Sequence, residues 1–321
     1  MSQAFCYISN AQGGGDWQGW RTRLGEALGE SIDIRPWSAH GDPRDIEIAL
    51  AWKPPAGALA SLPNLKLIVS LGMGVDHLLI HPDLPRDIPI VRIIDTGLVG
   101  QMSEYAIYWA LHHHRDVDGY MDLQRRKQWE EIPFTDTALR RVGILGLGEI
   151  GADTARKFAM LGFPTAGWSR TPRRIDGIDC LHGPDGLQAL LARSDILIDV
   201  LPMTPQTANL LDARAFARLP KGAYFINMAR GGHVVDADLL AALDSGHLDY
   251  AILDVHTVEE AWLYRKERMD DSPLWTHPKI LLSPHGAGHG DGRHLRITEL
   301  FIDNLTRFVA GENPLPHEEF L

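Results

Sequence analysis

The stretch Val142-Gly-Ile-Leu-Gly-Leu-Gly-Glu-Ile-Gly151 joins a short apolar run to a helical pattern through Gly146, Gly148 and Gly151. In this G-x-G-x-x-G spacing, the first glycine permits a tight turn and the second lets the backbone approach a pyrophosphate, while the third lets helix and strand pack closely. A helix predicted over 149–161 presents its N–H groups and partial positive charge to phosphate. The stretch therefore predicts a strand, a turn and a helix that bind a dinucleotide.

On both sides of this stretch, short apolar runs alternate with helical patterns, which is typical of βα units around a parallel sheet. One series precedes a long helix predicted over 101–128, and a second begins near residue 141. A last helix, predicted over 291–310, has no strand after it, so we expect it to return to the first domain. We predict an α/β protein with two Rossmann-like, doubly wound parallel-sheet domains and a cleft between them. The substrate domain takes residues 1–103 and 290–321, and the dinucleotide-binding domain takes 104–289.

The composition excludes several classes of protein. The 321 residues fit two domains at roughly 150 residues each. A net charge of −11 argues against nonspecific binding to nucleic acid or to an anionic membrane. No apolar run reaches the ~20 residues that span a bilayer, and with no basic, apolar leader the expected location is cytoplasmic. Cys6 and Cys180 cannot form a disulfide framework and are expected to be small buried side chains.

The strand after the glycine loop ends in Ser169, Arg170 and Thr171, with Arg173 and Arg174 following. An NAD site usually carries an acidic residue at this turn to hold the ribose 2′-OH, and the turn has none. Arg170 can pair with a 2′-phosphate, to which the hydroxyls of Ser169 and Thr171 can donate. The turn predicts NADP(H) in preference to NAD(H), and a solvated basic turn is the alternative.

Three polar residues follow apolar strands in the second half of the chain, namely Arg230, Glu259 and His285. Ligands of open α/β sheets bind at the carboxyl ends of the strands, so these side chains can converge on one nicotinamide ring. A histidine can donate a proton to a carbonyl oxygen during hydride attack, a carboxylate can orient it, and an arginine can bind a substrate carboxylate. We predict these roles for His285, Glu259 and Arg230, with Glu260 as the runner-up for the carboxylate.

Arg230 and His285 lie in two of six motifs along the chain, which are LGMGVD at 71–76, GLGEIG at 146–151, LPMTPQT at 201–207, NMARGGHVVD at 227–236, LDV at 253–255 and SPH at 283–285. On these motifs the sequence resembles the D-isomer-specific 2-hydroxyacid dehydrogenase family, and within it the glyoxylate/hydroxypyruvate reductase A branch. The resemblance implies Arg230, Glu259 and His285 as the catalytic set. It also implies reduction of glyoxylate or hydroxypyruvate to the D-2-hydroxy acid, and a homodimer.

The resemblance further implies which residues contact each ligand. Met73 and Gly74 would offer backbone amides to the substrate carboxylate, and Asp254 would touch the nicotinamide carboxamide. The other residues implied along the cofactor are Gly146, Gly148, Glu149, Ile150, Leu201, Pro202, Thr204, Pro205, Thr207, Met228, Ala229 and His285. Trp52 ends a strand of the first domain, and both a core side chain and a wall of the substrate pocket are open interpretations.

The chain departs from the family pattern at Val255-His-Thr-Val-Glu-Glu-Ala261, where relatives have Val-Phe-x-x-Glu-Pro. Segment 261–271 is also longer than expected, which puts the substrate more in question than the reaction. One alternative is a dehydrogenase for a bulkier 2-keto acid, for which Trp52, Tyr105 and Trp262 leave room. Another is a non-catalytic NADP(H)-sensing protein. No metal site is expected. The histidines around His285 are not accompanied by a carboxylate or cysteine pattern, and hydride transfer needs no metal ion.

Overall fold

The computed structural model describes residues 3–9, 17–28, 32–256, 271–290, 292–312 and 318–319. The chain divides into two compact units, of which the first comprises Met1–Gly97 with Asp291–Leu321 and the second Leu98–Gly290. The first change of unit falls at Gly97, six residues before the boundary expected at 103. None of the described helices is long and apolar enough to cross a membrane, and the cytoplasmic location stays a prediction.

The strands are β1 (Gln3–Ser9), β2 (Ile32–Pro36), β3 (Ile46–Trp52), β4 (Leu67–Ser70), β5 (Ile90–Val91), β6 (Val142–Leu145), β7 (Thr165–Ser169), β8 (Asp179–His182), β9 (Ile196–Asp199), β10 (Ala223–Asn227), β11 (Leu248–Leu253), β12 (Ile280–Leu282) and β13 (Glu318–Glu319). The helices are α1 (Trp17–Leu28), α2 (Asp76–Leu79), α3 (Thr96–His114), α4 (Val117–Arg125), α5 (Glu149–Met160), α6 (Gly183–Arg193), α7 (Ala213–Arg218), α8 (Asp236–Asp244) and α9 (Arg293–Val309).

The first unit is built on a sheet with the strand order β13-β5-β4-β3-β1-β2. Its pairings are parallel, except that β13 runs antiparallel to β5. α9 brings the chain back to this unit, since Phe301 and Leu305 are fully buried in the same core as Phe5 and Leu24. Full burial of a side chain of this size stabilises a fold by about 2 kcal/mol. α9 is therefore part of the first unit's core.

The second unit is built on a parallel sheet with the order β12-β11-β10-β9-β6-β7-β8. The residues of β6, β9 and β10 are all buried, as expected of parallel strands covered by helices on both faces. β6 pairs with β7 on one side and with β9 on the other. The strand order therefore reverses at β6, which is where ligands of open α/β sheets bind.

Two local features differ from the sequence-based expectation. The single helix predicted over 101–128 is wrong, because Asp116 adopts a left-handed backbone (φ 47°) between α3 and α4. Its carboxylate accepts a hydrogen bond from the Gly119 amide at 3.1 Å and so caps α4. Cys6 is buried as expected, but Cys180 is partly exposed because it lies on β8, at the edge of the second sheet.

Candidate active site

The glycine loop follows β6 and leads into α5. Gly146 has a φ of 101°, in the left-handed region that L side chains rarely adopt, and a Cβ at Gly151 would overlap the Gly146 carbonyl oxygen. A Cβ at Gly148, by contrast, would meet nothing within 4 Å, so open space adjoins the start of α5. The N–H groups of a first helical turn have no partner within the helix. The loop therefore fits a dinucleotide pyrophosphate, which would occupy the space beside Gly148.

The basic turn after β7 lies beside this loop. The Gly146 amide donates to the Trp168 carbonyl oxygen at 2.8 Å, and Ser169 ends the strand. The Ser169 hydroxyl donates to the Thr171 carbonyl oxygen at 2.8 Å, which closes the turn and leaves Arg170 exposed. Because the Ser169 proton is already engaged, its predicted donation to a phosphate would require the hydroxyl to rotate.

The segment that carries Arg230 is held by the side chain of a residue that precedes it. Asn227 ends β10 and is fully buried. Its Oδ1 accepts from the Ala229 amide at 3.0 Å, and its Nδ2 donates to the Arg230 carbonyl oxygen at 3.1 Å. The half-buried Arg230 donates from Nη1 to the Ala229 carbonyl oxygen at 2.7 Å. Asn227 thus fixes the backbone from which the predicted substrate-binding guanidinium extends.

A buried pair supports the same segment from the next strand. His233 Nδ1 lies 2.7 Å from Asp199 Oδ2, and both side chains are fully buried. The other carboxylate oxygen of Asp199 accepts from the Leu201 amide at 3.0 Å. This pair ties the end of β9 to the residues after Arg230. Asn227, Asp199 and His233 are supporting residues that the sequence analysis did not single out.

His285 lies on a tight turn after β12 and has a left-handed backbone, with φ 52°. Its amide donates to the Asp254 carbonyl oxygen at 2.8 Å. The Asp254 carboxylate accepts from the amides of Gly286 and Ala287, at 2.8 Å and 3.1 Å. Burial raises the pKa of Asp254, while the Ser283 hydroxyl and these two amides act to lower it. Asp254 therefore organises the turn that presents His285.

The Arg230 segment and the His285 turn lie at the same edge of the sheet. They follow β10 and β12, which flank β11, and Asp254 follows β11. The Asp254 amide donates to the Asn227 carbonyl oxygen at 2.8 Å, which links the two segments. Glu259 and Glu260 lie outside the described residues, as does Trp262. The predicted catalytic carboxylate therefore stays a prediction.

The residues predicted to bind the substrate in the first unit form a compact group. Trp52 lies against Gly72, where a Cβ would come within 2.5 Å of the indole ring, and its ring centroid lies 4.5 Å from that of His77. The Ser70 hydroxyl is 3.0 Å from the Gly72 carbonyl oxygen and 3.1 Å from that of Gly74. Trp52 therefore packs on the loop that contains Met73 and Gly74.

No group of three His, Cys, Asp or Glu side chains within the described part of the chain is arranged to hold a metal ion. Of the remaining residues predicted to bind cofactor, Glu149 and Ile150 begin α5, and the others lie on loops of the second unit. In the loop after β9, the Thr204 amide donates a hydrogen bond to Thr207 Oγ1 at 2.8 Å, which forms a turn. Their contacts with a cofactor stay predictions.

Residues 107–287 match the family model described as D-isomer specific 2-hydroxyacid dehydrogenase, NAD binding domain. The chain therefore belongs to the D-isomer specific 2-hydroxyacid dehydrogenases, and the predicted class of nicotinamide-dependent oxidoreductase is confirmed. A curated relative in this family is the glyoxylate/hydroxypyruvate reductase A of Serratia proteamaculans (strain 568). It is 38% identical over 304 residues, which cover 92% of each chain.

Two crystal structures show the same architecture. A D-isomer specific 2-hydroxyacid dehydrogenase from Xanthobacter autotrophicus Py2, in complex with NADPH and MES, is 38% identical with a TM-score of 0.84, covering 99% of this chain and 98% of that one. An NADPH-dependent glyoxylate/hydroxypyruvate reductase from Sinorhizobium meliloti, in complex with NADP and sulfate, is 33% identical with a TM-score of 0.81, also covering 99% and 98%. The prediction of two parallel-sheet α/β domains is confirmed.

Proposed function

We propose that this protein reduces a small 2-keto acid to the D-2-hydroxy acid with NADPH, and that glyoxylate and hydroxypyruvate are its leading substrates. The observation that carries the proposal is the placement of Arg230 and His285 on either side of Asp254, at the sheet edge where the glycine loop also lies. The names of the Serratia and Sinorhizobium relatives support the choice of substrates.

Each predicted residue has one task in this reaction. Arg230 binds the substrate carboxylate and polarises the keto oxygen. The backbone amides of Met73 and Gly74 are assigned to substrate binding by the family resemblance. A bound NADPH supplies the hydride that reduces C2. His285 gives its proton to the keto oxygen, so that the developing alkoxide becomes the hydroxyl group of the 2-hydroxy acid. Glu259 supports the protonated form of His285.

NADP(H) is the cofactor that the basic turn favours. Arg170 follows β7, next to the glycine loop. A 2′-phosphate bound beside it would contact the guanidinium, and the turn carries no carboxylate to repel the phosphate. The Arg174 Nε lies 3.7 Å from the Asp176 carboxylate, and both side chains are exposed. NADP(H) complexes of the Xanthobacter and Sinorhizobium relatives support this choice.

The proposal is tested by following absorbance at 340 nm while the protein consumes NADPH with a panel of 2-keto acids, and then repeating the assay with NADH. We expect turnover with glyoxylate and hydroxypyruvate and a lower KM for NADPH than for NADH. Arg170→Ala should raise the KM for NADPH by about tenfold or more, since it removes a charge-assisted hydrogen bond. The KM for NADH should stay the same.

A matched control is Arg218→Ala, which removes an exposed arginine from the last turn of α7 in the same unit. It should leave both KM values unchanged. An equal or lower KM for NADH in the wild type would contradict the cofactor choice. Higher kcat/KM with phenylpyruvate or a branched-chain keto acid would favour the bulkier-substrate alternative. Tight NADPH binding without turnover of any acid would favour the sensor.

The protein is further proposed to be a homodimer, as the family resemblance implies. α4 and the segment after it expose several large apolar side chains, namely Tyr120, Met121, Trp129, Phe134 and Leu139. Trp129 is fully exposed, and the Arg115 guanidinium carbon lies 4.2 Å from the centroid of the Phe134 ring. Five exposed apolar side chains within one stretch of the chain favour an interaction surface there. A second copy of the chain is the partner that we assign to it.

Light scattering during size-exclusion chromatography tests the dimer. We expect the wild type to have twice the mass of one chain, and Trp129→Asp to elute as a monomer, because a carboxylate cannot be buried without a partner. Trp275→Asp is the control, since Trp275 is also an exposed tryptophan of the second unit but lies away from Trp129 in sequence. A wild type with the mass of one chain would exclude this assembly.

A further inference from the structure

A chain of hydrogen bonds connects α3 to the turn that carries His285. The Tyr105 hydroxyl lies 2.5 Å from Ser283 Oγ, and Ser283 Oγ lies 2.7 Å from Asp254 Oδ1. The three side chains come from α3, from the residue after β12 and from the residue after β11. They belong to one compact unit, and the proposed reaction gives no role to Tyr105 or Ser283.

The chemistry of the groups fixes the direction of donation. The amides of Gly286 and Ala287 both donate to Asp254 Oδ1. This oxygen therefore acts as an acceptor, and Ser283 donates its single proton to it. Tyr105 must then donate to Ser283. Burial raises the pKa of the Tyr105 hydroxyl, so that it stays protonated and able to donate.

This series of hydrogen bonds ends at the turn that carries His285, whose backbone is strained. A left-handed backbone costs a residue other than glycine about 1–2 kcal/mol, and His285 has a φ of 52°. The turn is held because three successive amides, those of His285, Gly286 and Ala287, donate to the carbonyl and carboxylate oxygens of Asp254. The orientation of one carboxylate therefore determines the orientation of the turn.

We propose that Tyr105 is a positioning residue, which acts through Ser283 and Asp254 to hold the His285 turn in the geometry needed for proton transfer. The inference rests on the proposed function for the role of His285. It goes beyond that function because it assigns a task to a hydroxyl on α3 that acts through two intervening side chains.

The test combines a double-mutant cycle with two readouts. Tyr105→Phe and Ser283→Ala should each lower kcat by about three- to tenfold, the effect of one neutral hydrogen bond. The KM for the keto acid should stay within about twofold of the wild-type value, because the side chain of Asn227 holds the Arg230 segment. The double variant should be no slower than Ser283→Ala alone, since both changes break the same chain. Ser283→Thr should retain kcat.

The second readout is amide hydrogen exchange measured by NMR, which does not depend on turnover. In Tyr105→Phe the amides of Gly286 and Ala287 should exchange faster by the same three- to tenfold, while the Ala229 amide should not change. Tyr108→Phe is the control, because it removes the hydroxyl of an exposed tyrosine from the same helix, α3.

The outcomes separate this proposal from the proposed function. If the wild type turns over keto acids and His285→Ala does not, but Tyr105→Phe changes neither kcat nor exchange in the turn, the positioning role is wrong and the function stands. Faster exchange confined to the turn, in a protein that turns over no keto acid, means that the function is wrong and the structural link is right. Additive losses of kcat, or a loss confined to NADPH affinity, would overturn the positioning role.

Discussion

Replacement of His285 by alanine is expected to lower kcat for keto-acid reduction by about 10²–10⁴-fold, the usual contribution of a general acid. The keto oxygen gains negative charge as hydride reaches the carbon, and without the imidazole only water can supply the proton. The dissociation constant for NADPH should stay near that of the wild type, because the glycine loop lies on other strands of the sheet. Stopped-flow or steady-state absorbance at 340 nm and fluorescence titration of NADPH measure the two effects.

His289→Ala is the matched control for this variant. His289 is exposed four residues further along the same segment, with its ring centroid 5.9 Å from that of His285. It has no role in the proposed reaction, so we expect kcat within about twofold of the wild type, as for a surface substitution. Turnover that survives His285→Ala would show that another group donates the proton.

Arg230→Ala is expected to lower kcat/KM for the keto acid by about 10²–10³-fold, because it removes both the carboxylate anchor and a donor to the developing alkoxide. Both kcat and KM should change, since the guanidinium acts on the ground state and on the transition state. Asn227 and the buried Asp199–His233 pair hold the backbone of this segment independently of the Arg230 side chain. The variant should therefore fold, with a melting temperature near that of the wild type.

Arg230→Lys tests whether geometry or charge is responsible. Lysine keeps the positive charge but cannot form two parallel hydrogen bonds to a carboxylate. We expect a partial recovery, with kcat/KM between the values for alanine and for the wild type. Full activity of the lysine variant would mean that Arg230 acts only as a distant charge, and unchanged kinetics of the alanine variant would remove Arg230 from the reaction.

The sequence predicts those structural elements whose residue pattern lies within a short segment. The glycine spacing predicts the turn after β6, because Gly146 adopts a positive φ and Gly151 packs against the Gly146 carbonyl oxygen, all within ten residues. The apolar runs predict the buried parallel strands, since both faces of such a strand are covered. β8 was not predicted, because its exposed and half-buried residues give no apolar run. The break at Asp116 was missed because helical patterns continue on both sides of one left-handed residue.

Polar contacts between residues far apart in the sequence produce no recognisable sequence pattern. Tyr105 and Ser283 are 178 residues apart in the chain, and no periodicity connects them. The same holds for Asp199 and His233, which are 34 residues apart and meet only because β9 and β10 are neighbours. Polar groups of this kind can be paired only when the topology of the sheet is known. The sequence therefore predicts the residues expected to meet the ligands better than those that support them.

The return of α9 has a consequence for how the protein is made. A ribosome synthesises β1 early, but Phe301 and Leu305, which complete the core around Phe5, emerge only after the whole of Leu98–Gly290. The usual order, in which the N-terminal domain folds first, is thereby reversed. The nascent chain passes through a stage with a finished nucleotide-binding domain and an apolar sheet that still lacks its covering helix. That sheet keeps its apolar face uncovered until α9 has been synthesised.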